Sequence, residues 1–181
     1  MAATFGFEVN PKGLNNSQLD ALRATAQQQG YYTTTNAAVP ATLQSSSAYL
    51  TIPHPVLFYD FKGSAIGQTV DLKDLKGYSR TTPLQSADAG CTDFGAIVVV
   101  LNGNVKLNGS TTLVASVFVP GPSPNGQVNR ANGTGQLIGT LYADNIDMTG
   151  TADVSLDSCF LANLPGSLLS VTTTTYREED R

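Results

Sequence analysis

The sequence predicts a mainly β protein whose second half is a short parallel β-solenoid (β-helix-like), with one N-terminal helix packed as a cap. Three observations predict it. Polar-Gly pairs recur at Asn108-Gly109, Asn132-Gly133 and Thr149-Gly150, each behind a strand-like segment and ahead of a large apolar residue. Their intervals are 24 and 17 positions, and leaving out the seven-residue Pro/Gly-rich loop 120–126 brings both to 17. Only one segment, 17–29, has a good helical pattern. A β-sandwich of the same segments is the alternative, because Asn-Gly also marks hairpins.

The elements follow in order. Residues 1–16 are rich in Asn, Gly and Pro and read as a loop-like N-terminal segment. Residues 17–90 form the cap region, a helix with short strands and surface loops, and 91–181 hold the repeats and a C-terminal strand. Ser17 followed by Asp20 imitates a capping box, with Asp standing in for the usual Glu or Gln. Leu19, Leu22 and Ala26 share one helical face, and Gly30 supplies a left-handed cap. Three turns with so few large apolar groups do not stand alone, so the helix must pack on the β body. Residues 49–52 and 56–61 suggest two short strands around Pro53-His54-Pro55, where the prolines interrupt any continuous ladder. Residues 62–90 read as a surface excursion with turns near Gly63, Gly77 and Pro83, and a short helical turn at 71–75.

The longest apolar run, Ala96 to Leu101, is bounded by Asn102-Gly103 and reads as a buried strand. The first repeat then carries Val105, Gly109, Leu113 and Val117; the second, Val128, Gly133, Leu137 and Leu141; the third, Ile146, Gly150 and Val154. With about three coils, end caps are required. Residues 168–176 are a further strand, ending in the charged run Arg177-Glu178-Glu179-Asp180-Arg181. That strand is either an edge protected by charge or a docking strand for a neighbour.

Charge narrows the function classes. Charged residues are 13% of the 181, about half the usual share, and Thr, Ser, Asn, Gln and Gly replace them. Net charge is −4, and the ten Lys and Arg are scattered, which argues against binding nucleic acid or anionic lipid. No apolar stretch approaches the ~18 residues of a membrane span. Met1 to Phe5 lack the basic and apolar regions of a signal peptide. The chain is thus either cytosolic or begins after an export or anchoring segment. The second is the expectation, which makes it an extracellular, cell-surface protein.

The cysteines, Cys91 and Cys159, lie 68 positions apart at the two ends of the β-rich half. One disulfide closing that module is expected, worth about 4 kcal/mol by chain entropy; two buried free thiols are the alternative. Neither has a CxxC neighbour or a nearby His, which argues against zinc or redox chemistry. The one histidine, His54, has no Gly-x-Ser-x-Gly motif or second His to work with, so an ordinary loop role is expected and no catalytic residue is assigned.

Carboxylates are the remaining enzymatic option. Asp144, Asp147, Asp153 and Asp157 cluster late in the sequence. A glycosidase would need two carboxylates about 5–10 Å apart. Asp144, Asp147 and Asp153 are instead candidate oxygen ligands for calcium, or simply solubilise turns. Asn15, Asn108 and Asn132 match the N-glycosylation pattern, although in the repeats Asn-Gly is better explained as a coil corner that tolerates positive φ. Tyr31-Tyr32 and Phe58-Tyr59 are candidates for a sugar-stacking platform, against the commoner role of packing.

The stretch Gly95-Ala96-Ile97-Val98-Val99-Val100-Leu101-Asn102-Gly103-Asn104-Val105-Lys106-Leu107-Asn108-Gly109 resembles a coil of bacterial PilX-like, type IV pilus-associated envelope proteins. Gly139-Thr140-Leu141-Tyr142-Ala143-Asp144-Asn145-Ile146-Asp147-Met148-Thr149-Gly150 is similar to their next coil. The helix from Leu19 to the Gly30-Tyr31 step, and the ending Thr175-Tyr176-Arg177-Glu178-Glu179-Asp180-Arg181, resemble actinobacterial members. The resemblance spans residues 17–181 and implies a β-solenoid ectodomain carried on a hydrophobic anchoring helix outside this chain. It implies no catalytic residue and no cofactor.

The expected function is a non-enzymatic extracellular structural or adhesive domain, a component or accessory of a type IV pilus-like assembly. Its partners would be other pilus or envelope subunits, or an extracellular ligand or glycan. A carbohydrate-active or glycan-binding β-helix and a self-assembling β-solenoid scaffold are the alternatives.

Overall fold

The structure is a computed structural model that describes residues 14–80, 91, 94–107, 112–120, 127–130, 136–143, 145–148, 153–155 and 159. It is mainly β, with one α-helix and two sheets whose strands all run parallel. Helix α1 spans Asn16–Gln29. Its N-terminus is closed by Asn15, whose side chain accepts from the Gln18 N–H while the Gln18 side chain accepts from the Asn15 N–H, both at 2.9 Å. The box therefore starts two residues before the expected Ser17–Asp20 pair, because Gln18 reaches back to the cap N–H. Gly30 ends the helix in the left-handed region at φ 78°, as expected.

The strands are β1 (Tyr32–Thr33), β2 (Val56–Asp60), β3 (Thr69–Asp71), β4 (Ala96–Leu101), β5 (Asn104–Lys106), β6 (Leu113–Val119), β7 (Gln127–Arg130), β8 (Gln136–Ala143), β9 (Asn145–Met148) and β10 (Asp153–Ser155). They deal themselves alternately into two sheets. One has the order β1-β2-β4-β6-β8-β10 and the other β3-β5-β7-β9. Both sheets run across position 91, joining the region before it to the repeats after it.

Register bears out the repeat alignment. Leu113 pairs with Leu137 and Leu137 with Val154, while Val117 pairs with Leu141. In the second sheet Val70, Val105, Val128 and Ile146 form one column. Alternation then sorts the larger sheet's side chains onto two faces. Leu57, Tyr59, Val98 and Val100 share a core with Val70 and Val105 of the other sheet. Val56, Phe58, Ile97 and Val99 face the opposite way and pack under Leu22 and Ala26 of α1. The helix expected to cap an end thus lies on a sheet face.

Two further expectations change. The predicted strand at 49–52 is not formed; residues 48–50 are a turn of 3-10 helix, and pairing begins only after Pro55, at Val56. Residues 62–80 are not a surface excursion, since Val70, Leu72, Leu75 and Tyr78 are buried in the shared core. The corner between β4 and β5 is tight: Asn102 sits at φ 55°, and its Nδ2 donates to the Phe61 carbonyl at 3.3 Å. A Cβ on Gly103 would come within 2.2 Å of the Phe61 ring and 2.8 Å of the Gln68 carbonyl oxygen. The three predicted corners, Asn108-Gly109, Asn132-Gly133 and Thr149-Gly150, and the strand at 168–176 lie outside the described residues.

Gly103→Ala should therefore destabilise the fold by roughly 1–3 kcal/mol, because both the ring and the backbone it meets are packed. A denaturant titration of wild type and variant measures this, and an unchanged midpoint would show that the corner relaxes freely.

Candidate functional site

Three features concentrate the chemistry of the described residues. The first is covalent. Cys91 and Cys159 form a disulfide with Cα atoms 5.5 Å apart, and no described cysteine is free. It joins the chain just before β4 to the chain just after β10.

The second is a charged network around Asp60, at the end of β2, a residue only 8% exposed. Tyr32 donates its hydroxyl to Asp60 Oδ2 at 3.1 Å. Lys62 Nζ lies 3.3 Å and Arg23 Nε 3.9 Å from the same oxygen. Arg23 also pairs with Asp20 and stacks 5.1 Å above the Phe58 ring centre. One carboxylate thus ties α1, β1 and the chain beyond β2 together. The hydrogen bond from Lys62 to Asp60 and the carboxylate's charge raise the Lys62 pKa above its ordinary value.

The third is a half-open cavity of about 180 Å³ beside β1, lined by Gly30, Tyr31, Tyr32, Thr33, Ala37, Ala38, Pro40 and Tyr59. The Tyr31 hydroxyl is 3.3 Å from Thr42 Oγ1, and the Tyr32 ring packs 6.0 Å from Phe58. Tyr59 is 2% exposed, and burial pushes its phenol up to about 12. The Phe58 N–H donates to the Tyr31 carbonyl, while Tyr32 is the register partner of Phe58. A parallel ladder with that phase turns the N–H and C=O of Tyr32 away from β2. Among the described residues no strand pairs with β1 on that side.

The sequence candidates are placed unevenly. Of the stacking candidates, Phe58 and Tyr59 are buried in the two cores, while Tyr31 and Tyr32 line the cavity. His54 lies in the turn before β2, where its carbonyl accepts from Gln29 Nε2 at 3.2 Å. Gln29, which sequence reasoning passed over, also accepts the Val56 N–H at 2.8 Å and so pins the helix end to β2. Asp60 was missed as well, since a lone carboxylate in an apolar strand gives no pattern. Asp153 is exposed on β10 and accepts from the Ser155 hydroxyl at 3.0 Å. Asp144 and the Asp147 side chain lie outside the described residues, as do Asp157, Asn108 and Asn132. Among the described residues no three His, Cys, Asp or Glu side chains gather as a metal-binding group, and no helix is long and apolar enough to cross a membrane.

Comparison with family models, with curated proteins and with solved structures finds no match for the chain.

The tyrosines set an alkaline limit. Tyr59 and Tyr78 are both raised by burial, so the unfolded chain releases their protons near pH 10 while the fold retains them. The stability they contribute is complete below pH 10 and is lost as pH rises. Tyr59 alone should remove up to about 1.4 kcal/mol per pH unit between roughly pH 10 and 12. Lys62 acts in the same direction, because its raised pKa favours folding only while it is protonated. Unfolding midpoints measured across this window should fall steadily; a flat profile would contradict the burial of Tyr59.

Proposed function

We propose that this chain is a non-enzymatic extracellular structural or adhesive domain, whose strands wind as a short β-solenoid and which serves a surface assembly of the type IV pilus kind. One observation carries the reading: the Cys91–Cys159 disulfide joins the chain ahead of β4 to the chain beyond β10, closing the later part of a stack of parallel strands. Disulfides of this kind persist in oxidising compartments, and a bond that closes the later strands suits a module exposed to proteases or mechanical load. The solenoid reading is supported by the alternation of strands between two sheets and by the apolar columns Val70-Val105-Val128-Ile146 and Leu113-Leu137-Val154. The weakly charged surface supports exposure outside a cell. The pilus assignment rests on the sequence resemblance of residues 17–181 alone. Its partners are then other envelope or fibre subunits.

Two measurements test this. Reduction, or the Cys91→Ser/Cys159→Ser double variant, should cost about 4 kcal/mol and lower the melting temperature by roughly 10 °C. An unchanged melting temperature would show that the disulfide does not stabilise the fold. For the assembly, surface fibres sheared from the source cells should carry the chain, detected by antibody. Fibres that lack it, from cells whose fibres and attachment survive its deletion, would overturn the assignment.

A further inference from the structure

We propose that the cavity between β1 and the 37–40 loop binds a single uncharged sugar ring, such as the terminal hexopyranose of a neutral glycan. The inference deepens the adhesive side of the surface reading, on which it relies only for where a glycan would be met.

Size restricts the ligand first. About 180 Å³ is well below the ~300 Å³ at which sites for larger ligands begin, and it admits one ring. Chemistry restricts it next. Every lining residue is uncharged, so a sugar acid would lose its hydration without gaining an opposite charge. Tyr31, Tyr59 and Pro40 provide apolar walls, and the outward N–H and C=O of Tyr32 provide a donor and an acceptor, while the Thr33 hydroxyl is held by Thr35. A pyranose presents that same mixture, C–H faces with a polar rim.

The walls are also held before any ligand arrives. Asp60 fixes the Tyr32 hydroxyl, Thr42 lies against that of Tyr31, and Tyr59 is locked in the core. Pre-set walls reduce the ordering cost of binding. The mouth is left open by two exposed small residues, Ala37 and Ala38. The rival occupant is an extended peptide added to the edge of β1. Two residues of strand offer it one N–H and one C=O, too short a ladder to hold a peptide, and the observations favour the sugar.

The test titrates the nitrogen-labelled whole chain with methyl glycosides of glucose, galactose, mannose and N-acetylglucosamine, followed by amide NMR shifts. At least one neutral glycoside should give saturable shifts centred on Tyr31, Tyr32, Thr33, Ala37 and Ala38, with affinity in about the millimolar range. Methyl glucuronide should bind more weakly. Ala38→Phe, which fills the mouth from an exposed loop position, should weaken binding about tenfold or more while leaving the denaturation midpoint unchanged. The proposal is overturned if no neutral glycoside moves these amides at tens of millimolar, if Ala38→Phe binds as well as wild type, or if an extended peptide moves them where the sugars do not. Sugar binding by a chain missing from surface fibres would sink the fibre assignment alone, and a fibre subunit blind to sugars would sink this proposal alone.

Discussion

Neighbouring strands in both sheets run parallel, and a parallel pair cannot be joined by a tight turn. The chain must travel the length of the strand again before it can add the next one. In this protein the return trip does structural work, because each crossover after β2 contains a strand of the opposite sheet. Two sheets therefore grow together, and over their first strands each buries its inward residues against the other. That coupling explains why strands as short as β3 and β5, three residues each, exist: each contributes one inward valine, Val70 or Val105, to a core that the longer strands already define.

The larger sheet needs cover on its second face as well, and over β2 and β4 the helix supplies it. There α1 lays Leu22 and Ala26 on Val56, Phe58, Ile97 and Val99. A strand buried on both faces should read as a continuous apolar run, and β4, Ala-Ile-Val-Val-Val-Leu, does. Asp60 belongs to the same arrangement. Its carboxylate sits where helix, edge strand and sheet meet, and Arg23, Tyr32 and Lys62 converge on it. The network orients Tyr32, so the cavity beside β1 inherits its shape from a polar contact that stabilises the fold.

These dependences decide what the sequence could reveal. The helix was legible because Leu22, Ala26 and Gly30 act locally, and β4 because its burial leaves no alternation. The columns Leu113-Leu137-Val154 and Val105-Val128-Ile146 were legible because short insertions kept their intervals similar. Earlier steps were hidden by distance. Val56 pairs with Ile97 across 41 positions, so nothing in the intervening 62–90 advertised a strand with a single inward residue. The choice between Ser17 and Asn15 as helix cap turned on whether Gln18 could reach back, a geometric matter that composition does not report. The Asp60 network and Gln29 were illegible for a related reason: each depends on residues brought together from 25 or more positions away.

Burial also changes along the stack, and this bears on where the disulfide sits. β2 is buried along its whole length and β4 nearly so, whereas β8 is buried over only three of its eight residues. At the far end, Ile146 and Val154 occupy the same columns as the buried Val105 and Leu137, yet are 46% and 39% exposed. The last strands therefore gain less from the hydrophobic effect while losing comparable conformational entropy. Left to packing alone, the last strands would be the first to open. Cys159, fully buried just beyond β10, is bonded to Cys91 just ahead of β4, so the covalent link ties the chain beyond the thinly buried strands to the entry of a well-buried one. It restrains the open chain by loop closure and so opposes opening of the poorly covered end.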